Sequence, residues 1–434
     1  MVDGTALWLG ARGFVVREVI EDGDELVVAI ETINDAPVGC EACGTRARAK
    51  DRRRVRLRDA PVGDRPVQLV WHKRIWSCPD PDCATKTWTE QRHELALPRR
   101  VLTVRAAQWA CARVAALEGT PASCARTLGV SWPTTWCAVV EHGTPMVDDP
   151  ERVGATMMVG FDETVMQPAH RRRRRRFVTA VVDVTSGQIL DVFEGRDAKD
   201  LQRWLDGMPA SWREAIQVVS IDPHEGYRSA LTRTSLLADV TMVVDPFHIV
   251  RLANMAVTRC RQRVQQQTLG HRGRARDPLF GARKLFLLGA ERVDDRGWER
   301  IWAALRDGDP DGELQDAYVA KEKVRDIYLT DDPDTAAVAL HDAIAWCSAP
   351  EAGKELRRLA KMLRRWRAEI LAHHATGASN GLVEAANLLI KHVKRAGRGF
   401  RNIANYRLRI LLAGGLQRDA QPVTRLRARP SFVA

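Results

Sequence analysis

Four cysteines stand in two close pairs, Cys40-Glu-Ala-Cys43 and Cys78-Pro-Asp-Pro-Asp-Cys83, inside one basic segment. Two thiolate pairs from separated loops can close a tetrahedral site around one structural zinc ion. Paired cysteines in a chain without export features point to metal rather than to disulfides. The 34 residues between Cys43 and Cys78 leave room for strands over 54–59 and 67–75, a ribbon-like arrangement. Cys111, Cys124, Cys137, Cys260 and Cys347 are scattered singles, read as small, reduced core residues.

The carboxylates carry a second chemistry. Asp162 interrupts the apolar run Met157-Met158-Val159-Gly160-Phe161, where a carboxylate is costly to bury unless a cation meets it. Asp222 ends Val218-Val219-Ser220-Ile221, and Pro223 stops that strand. Ligands of open sheets favour the carboxyl ends of strands. A third acid, Glu384, shares a helical stripe with Asn387, Lys391 and Lys394, with Leu382, Ala386, Leu389 and Val393 facing the other way. Three such acids brought together repel one another without a cation. Two divalent ions about 3.5–4 Å apart would neutralise them and clamp the attacking and leaving oxygens of a phosphodiester. Other acids compete for these roles. Glu163 is expected on the opposite sheet face, Asp183 lies in another strand, and Asp245 ends a strand as Asp222 does.

These groups need elements to hold them. Strands are expected over 13–20, 25–30, 156–165, 177–184, 188–195, 217–222 and 240–245, each rich in Val and Ile and bounded by turn residues. Helices fit 198–208 and 225–237, and from 246 to 375 no strand pattern returns. Residues 103–142 read as helices, with Trp109, Val114 and Leu117 at helical spacing. Within them Thr120-Pro121 starts one short helix, Gly129 permits a tight bend, and Ser131 caps a second. That is helix-turn-helix spacing, which would bring Trp132, Thr134 and Thr135 to base edges. An ordinary helical hairpin has the same spacing.

Charge is clustered. The net charge is +12, and within it residues 1–39 carry −6, 40–100 carry +7 and 351–434 carry +13. Clustered cations point to a polyanion. Only 11 of the 67 basic residues are Lys, an Arg bias that a GC-rich genome also produces, so the clustering carries the argument. Six consecutive arginines, Arg171 to Arg176, fit a hairpin tip gripping phosphates or a solvated turn. Residues 391–409 hold seven basic residues and no acid, with Phe400 and Tyr406 between them, an interleaving that suits a DNA strand. No stretch approaches a membrane span and the N-terminus has no basic signal region, so a cytoplasmic, nucleoid-associated protein is expected.

With these motifs in order, the chain resembles the DDE transposases of bacterial insertion sequences, specifically the ISL-three family. The resemblance runs through Cys40-x2-Cys43 with Cys78-x4-Cys83, Leu57-Arg58-Asp59, Gly160-Phe161-Asp162-Glu163, and Ile221-Asp222 with Tyr227-Arg228. It continues through Asp245-Pro246-Phe247-His248, Ser379-Asn380-Gly381 with Glu384 and Asn387, Lys394-Arg395, and Gly399-Phe400-Arg401-Asn402. It implies an α+β multidomain fold with a ribonuclease H-like core, interrupted by a helical insertion before the last acid. It also implies Asp162, Asp222 and Glu384 as the catalytic and metal-binding triad for two Mg2+ or Mn2+ ions. Asp245, His248 and Asn387 would support the active site.

The expected domains are 1–95 (strands and zinc ribbon), 96–150 (helix-turn-helix), 151–250 (core, first part), 251–375 (helical insertion) and 376–434 (third carboxylate and basic tail). The expected function is binding of an element's terminal inverted repeats, followed by metal-dependent strand cleavage and strand transfer into target DNA, by a homodimer or larger assembly. The expected DNA contacts are Trp132, Thr134, Thr135, Arg171, Arg173, Arg175, Lys391, Lys394, Arg395, Arg398 and Arg401. Two alternatives share this scaffold: a domesticated, non-catalytic DNA-binding regulator, and a metal nuclease or junction resolvase that cuts without joining.

Overall fold

The computed structural model describes residues 13–33, 38–63, 65–172, 174–233 and 240–416. The chain divides into two units, Met1–Arg152 with His392–Ala434, and Val153–Lys391.

In the first unit, strands β1 (Phe14–Asp22), β2 (Glu25–Thr32), β3 (Arg48–Val62) and β4 (Arg65–Ser77) form a sheet in the order β1-β2-β4-β3, with β5 (Thr87–Thr89) pairing to β4. Alternation decides its inner face: Val67, Leu69 and Trp71 of β4 and Leu57 of β3 are buried with Phe14, Val28 and Ile30. The β3–β4 hairpin extends well past the expected 54–59 and 67–75. Its outer half is arginine-rich and exposed, so no apolar alternation announces it.

Three helices follow: α1 (Val104–Ala115), α2 (Pro121–Leu128) and α3 (Trp132–Val147). Thr103 caps α1 and also donates a 2.6 Å hydrogen bond to the buried Asp59 of β3, which Arg105 pairs as well. Thr120 and Ser123 form a reciprocal cap on α2, and Ser131 caps α3. Gly129 between them adopts φ 64, and a Cβ there would lie 3.2 Å from Arg58 Cζ, so the turn sits directly against β3. Leu117, expected on the helix, instead lies past its end with φ 60.

The second unit holds β6 (Met158–Gln167), β7 (Arg176–Asp183), β8 (Ile189–Glu194), β9 (Val218–Ile221) and β10 (Thr241–Val244), in the order β10-β9-β6-β7-β8. β6, β9 and β10 run parallel, while β6-β7-β8 is an antiparallel meander. Helices α4 (Ala198–Asp206), α5 (Ala210–Ala215) and α6 (Glu225–Arg233) fall among these strands. After β10 the chain is helical throughout: α7 (Pro246–Leu269), α8 (Pro278–Gly281), α9 (Asp295–Gly308), α10 (Glu313–Asp326), α11 (Pro333–Trp346), α12 (Lys354–Arg365), α13 (Arg367–Thr376) and α14 (Gly381–Ala396). One apolar core runs from Phe161, Val219 and Ile221 of the sheet to Ile249, Leu314, Leu356 and Ile370 of these helices. Arg263 of α7 ties them further, pairing Glu313 at 2.8 Å and Glu355 at 3.0 Å.

The last described helix, α15 (Ile403–Gly414), packs on α1 and α3 of the first unit. Residues 392–416 therefore leave the core segment 376–434 that the sequence suggested. No helix among the described residues is long and apolar enough to cross a membrane.

Candidate active site

Asp162 lies on β6, the middle strand of the second sheet, paired in register with Ala180. Its face is shared with Gly160 and Thr164 and is covered by α14. A Cβ at Gly160 would come within 2.3 Å of Val383 Cγ2, so only glycine lets the helix approach this closely. Asn387 of α14 then donates its amide to Asp162 and accepts a 3.0 Å hydrogen bond from Thr164 Oγ1. Glu163 points to the other face, toward Tyr227, as alternation requires; its Oε2 is buried without a hydrogen-bond partner.

Asp222 follows β9 and Asp245 follows β10. Val244 pairs in parallel register with Ile221, so the two acids emerge side by side at adjacent carboxyl ends. Asp245 caps α7, which places His248 in that helix's first turn between the two acids. Its Nδ1 is 3.0 Å from Asp245 Oδ2 and its Nε2 is 3.1 Å from Asp222 Oδ2. Ligand atoms of Asp245, His248 and Glu384 all lie within 4.8 Å of one another. Asn380 closes the floor: its backbone N–H donates to Asp245 Oδ1 (3.1 Å), its Nδ2 to Asp222 Oδ1 (3.4 Å), and its Oδ1 accepts from Ser220 Oγ (2.6 Å).

The electrostatics follow from packing carboxylates out of water. Burial, then the Asp162 charge, pushes Asp222 up to about 7. Burial, then the Glu163 charge, pushes Asp162 up to about 6. Burial pulls the His248 imidazole down, but its hydrogen bond to Asp245 and the Asp222 charge outweigh this and hold it above the ordinary histidine range. Such a set of oxygen donors around one imidazole lacks positive charge, which a divalent cation would supply.

In the first unit, Cys40 and Cys83 sulfurs are 3.7 Å apart, Cys43 and Cys78 sulfurs 3.5 Å, and all four lie within 4.8 Å of one another. A tetrahedron with Zn–S bonds of about 2.3 Å has S–S edges of about 3.8 Å, so the four thiols fit zinc.

Several sequence expectations need correction. Thr135 is fully buried on the inner side of α3 and cannot reach a base; Trp132 is exposed and stacks on Trp136 at 5.8 Å, and Thr134 is half-buried. Cys137 is exposed rather than a core residue. Arg171 and Arg175 are exposed between β6 and β7, Arg173 lies outside the described residues, and Arg176 is a strand residue paired to Glu194 at 2.6 Å. Lys391, Arg395, Arg398 and Arg401 are exposed and Lys394 is half-buried. The aromatics among them do not offer free faces: Tyr406 is fully buried and Phe400 stacks on it at 4.6 Å. On α14 the buried stripe is Val383, Ala386, Ile390 and Val393, while Leu382 is 41% exposed. Asn380 and Ser220 escaped notice as site residues, although a serine within an apolar strand before Asp222 was a usable signal.

Residues 159–410 match the ISL3-type DDE transposase family, described as transposase. Residues 36–88 match the zinc-finger of transposase IS204/IS1001/IS1096/IS1165. The chain belongs to the ISL3 family of transposases. It is 26% identical to the transposase for insertion sequence element IS1001 of Bordetella parapertussis over 381 residues, 86% of this chain and 88% of that protein. It is also 26% identical to the transposase for insertion sequence element IS1557 of Mycobacterium tuberculosis (strain CDC 1551 / Oshkosh) over 317 residues, 68% of this chain and 66% of that protein.

Proposed function

We propose that this chain binds the terminal inverted repeats of an insertion sequence and catalyses divalent-metal-dependent cleavage and strand transfer of DNA. One observation carries the reading: Asp222, Asp245 and Glu384 gather at His248, while Asn387, one turn along from Glu384, holds Asp162. The strand order and directions of the second sheet fit a ribonuclease H-like core, and α7–α13 fit a helical insertion before the third acid.

Asp162, Asp222 and Glu384 would hold two Mg2+ or Mn2+ ions. When bound, the ions supply charge neutralisation and Lewis-acid clamping of the attacking and leaving oxygens. Asn387 sets the orientation of Asp162, and Asn380, braced by Ser220, sets that of Asp222. Asp245 orients the His248 ring, whose other nitrogen meets Asp222. Lys391 lies close enough to lower the cost of charge on Asp162 and carries a cation for substrate phosphate. The reaction is two in-line displacements at phosphorus, first by water and then by the 3′ hydroxyl it frees.

The zinc ribbon, with one structural zinc ion, and the helix-turn-helix α2–α3 would recognise duplex DNA. Trp132 and Thr134 lie at the start of the recognition helix, and Arg171, Arg175, Lys391, Lys394, Arg395, Arg398 and Arg401 would meet phosphates. Joining two ends requires a homodimer or larger assembly, acting on chromosomal DNA in the cytoplasm.

The test is a magnesium-dependent cleavage and strand-transfer assay on DNA carrying the element's own ends, with Glu384→Gln alongside. The expected result is cleavage and joining by the wild type, and binding without cleavage by the variant. Specific binding with no cleavage by either, with manganese and paired ends supplied, favours a regulator. Cutting without joining favours a nuclease.

A further inference from the structure

Between residues 48 and 58, β3 carries seven cations and a single acid, Asp51. The strand lies at the edge of its sheet. From Asp51 onward, alternation sends Leu57 and Asp59 to the buried face and Arg52, Arg54 and Arg56 to the other. Opposite them on β4, the register places Arg52 against Arg74, and on the other face it places Arg53 against Lys73. Directly opposed like charges destabilise a sheet pair.

Elsewhere the same sheet pairs several of its arginines with acids. Arg17 meets Glu31 at 2.9 Å, Arg65 meets Glu21 at 3.0 Å, and Arg58 meets Glu25. Arg52 also reaches Glu31, at 3.2 Å. Arg54 and Arg56 are exposed and have no acid partner among the described residues. A charged edge deters strand addition, but that role needs neither a continuous row nor opposed cations. Alternate residues of a strand stand about 6.8 Å apart, twice the ~3.4 Å axial rise per phosphate of one DNA strand.

Both ends of this row are fixed. The four-cysteine knot staples the open end of the hairpin, since Cys78 directly follows β4 and Cys40 and Cys43 precede β3. At the other end Asp59 is bound by Thr103 and Arg105 of α1, and Arg58 lies against the Gly129 turn between α2 and α3. The arginine row and the first turn of α3 are therefore parts of one packed body.

We infer that the outer face of the β3–β4 hairpin, through Arg52, Arg54, Arg56 and Arg74, is a binding face for the phosphate backbone of duplex DNA. It positions α3 on the duplex and carries no sequence information itself. This rests on the proposed reading of the chain as a protein that binds DNA ends, and it names the surface that does so.

The test uses the full chain and fluorescence anisotropy with two duplexes, one carrying the element's ends and one scrambled, between about 50 and 200 mM salt. Removing two phosphate contacts with Arg54→Gln/Arg56→Gln should lower the slope of log affinity against log salt by about 1.8, which narrows the affinity drop over that range by ~12-fold. The preference for the element's ends over the scrambled duplex should stay as in the wild type. Arg54→Lys/Arg56→Lys should keep the wild-type slope, and zinc content should not change in either variant. A wild type that binds its ends, beside a Gln variant with an unchanged slope, would overturn this inference and leave the proposed function standing. A wild type that binds no duplex defeats both.

Discussion

Replacing Asp222 by Asn should make the metal-free protein more stable while destroying its proposed chemistry. Burial and the Asp162 charge push the carboxyl from the ordinary aspartate range up to about 7. At about 1.36 kcal/mol per unit, ionised Asp222 costs the folded state up to ~4 kcal/mol. That figure already includes the attraction to His248; relaxation and water entry around the charge lower what is realised, so the expected net gain is about 2 kcal/mol. The sign is set by linkage. Below pH 4 the carboxyl is protonated in folded and unfolded chains alike and the charge costs nothing. Between about pH 4 and pH 7 the folded state keeps a proton that the unfolded state has released, so wild-type stability falls as pH rises. Above pH 7 the full cost is present. Thermal unfolding in a chelating buffer at pH 8 should show the variant's midpoint higher by ~4–8 °C, and at pH 4 the two curves should converge. A lower midpoint for the variant at pH 8, or a gain that persists at pH 4, would refute the charge-repulsion account of this cluster.

Two further outcomes follow from geometry already described. Gly160→Ala places a methyl about where Val383 Cγ2 stands, so it should destabilise the protein by ~1–3 kcal/mol, and Val383→Ala should restore much of that loss in chemical denaturation. Cys78→Ser removes one corner of the thiol tetrahedron, so the purified protein should lose its one equivalent of zinc by metal analysis and unfold at lower temperature; unchanged zinc content would remove Cys78 from the site.

The strands of the second sheet were legible because each is a short Val- and Ile-rich run closed by turn residues, and their observed ends lie within about two residues of the reading. Asp162 was legible because a carboxylate in such a run is conspicuous. The helix starts at Pro121 and Trp132 were legible from their capping residues. What escaped depends on which neighbour a face meets. Leu382 looks like a core residue by spacing, yet α14 packs through Val383 and Ile390, and Leu382 sits over Gly187 at the margin. Thr135 and Tyr406 are polar-tipped residues whose burial comes from helices distant in sequence. Arg409 counted as part of a basic tail, but it is 2% exposed inside the α1–α3 and α15 packing. Asn380 reads as a turn residue until the ends of β9 and β10 are seen on either side of it.

The return of α15 to the first unit has a consequence for how the chain is made. Leu412 fills the space over Gly143 and Cys111, so the face that α1 and α3 present is covered only when residue 412 has been synthesised. The whole second unit is translated in between. A ribosome therefore releases the last piece of the first unit after every carboxylate of the second has emerged. A product of premature termination or proteolysis after α3 keeps its cysteines but exposes the apolar flank of α1 and α3. Such a fragment is marked for clearance by its own uncovered surface. Inserting the second unit within the chain of the first thus couples completion of the first unit's packing to synthesis of nearly the whole chain.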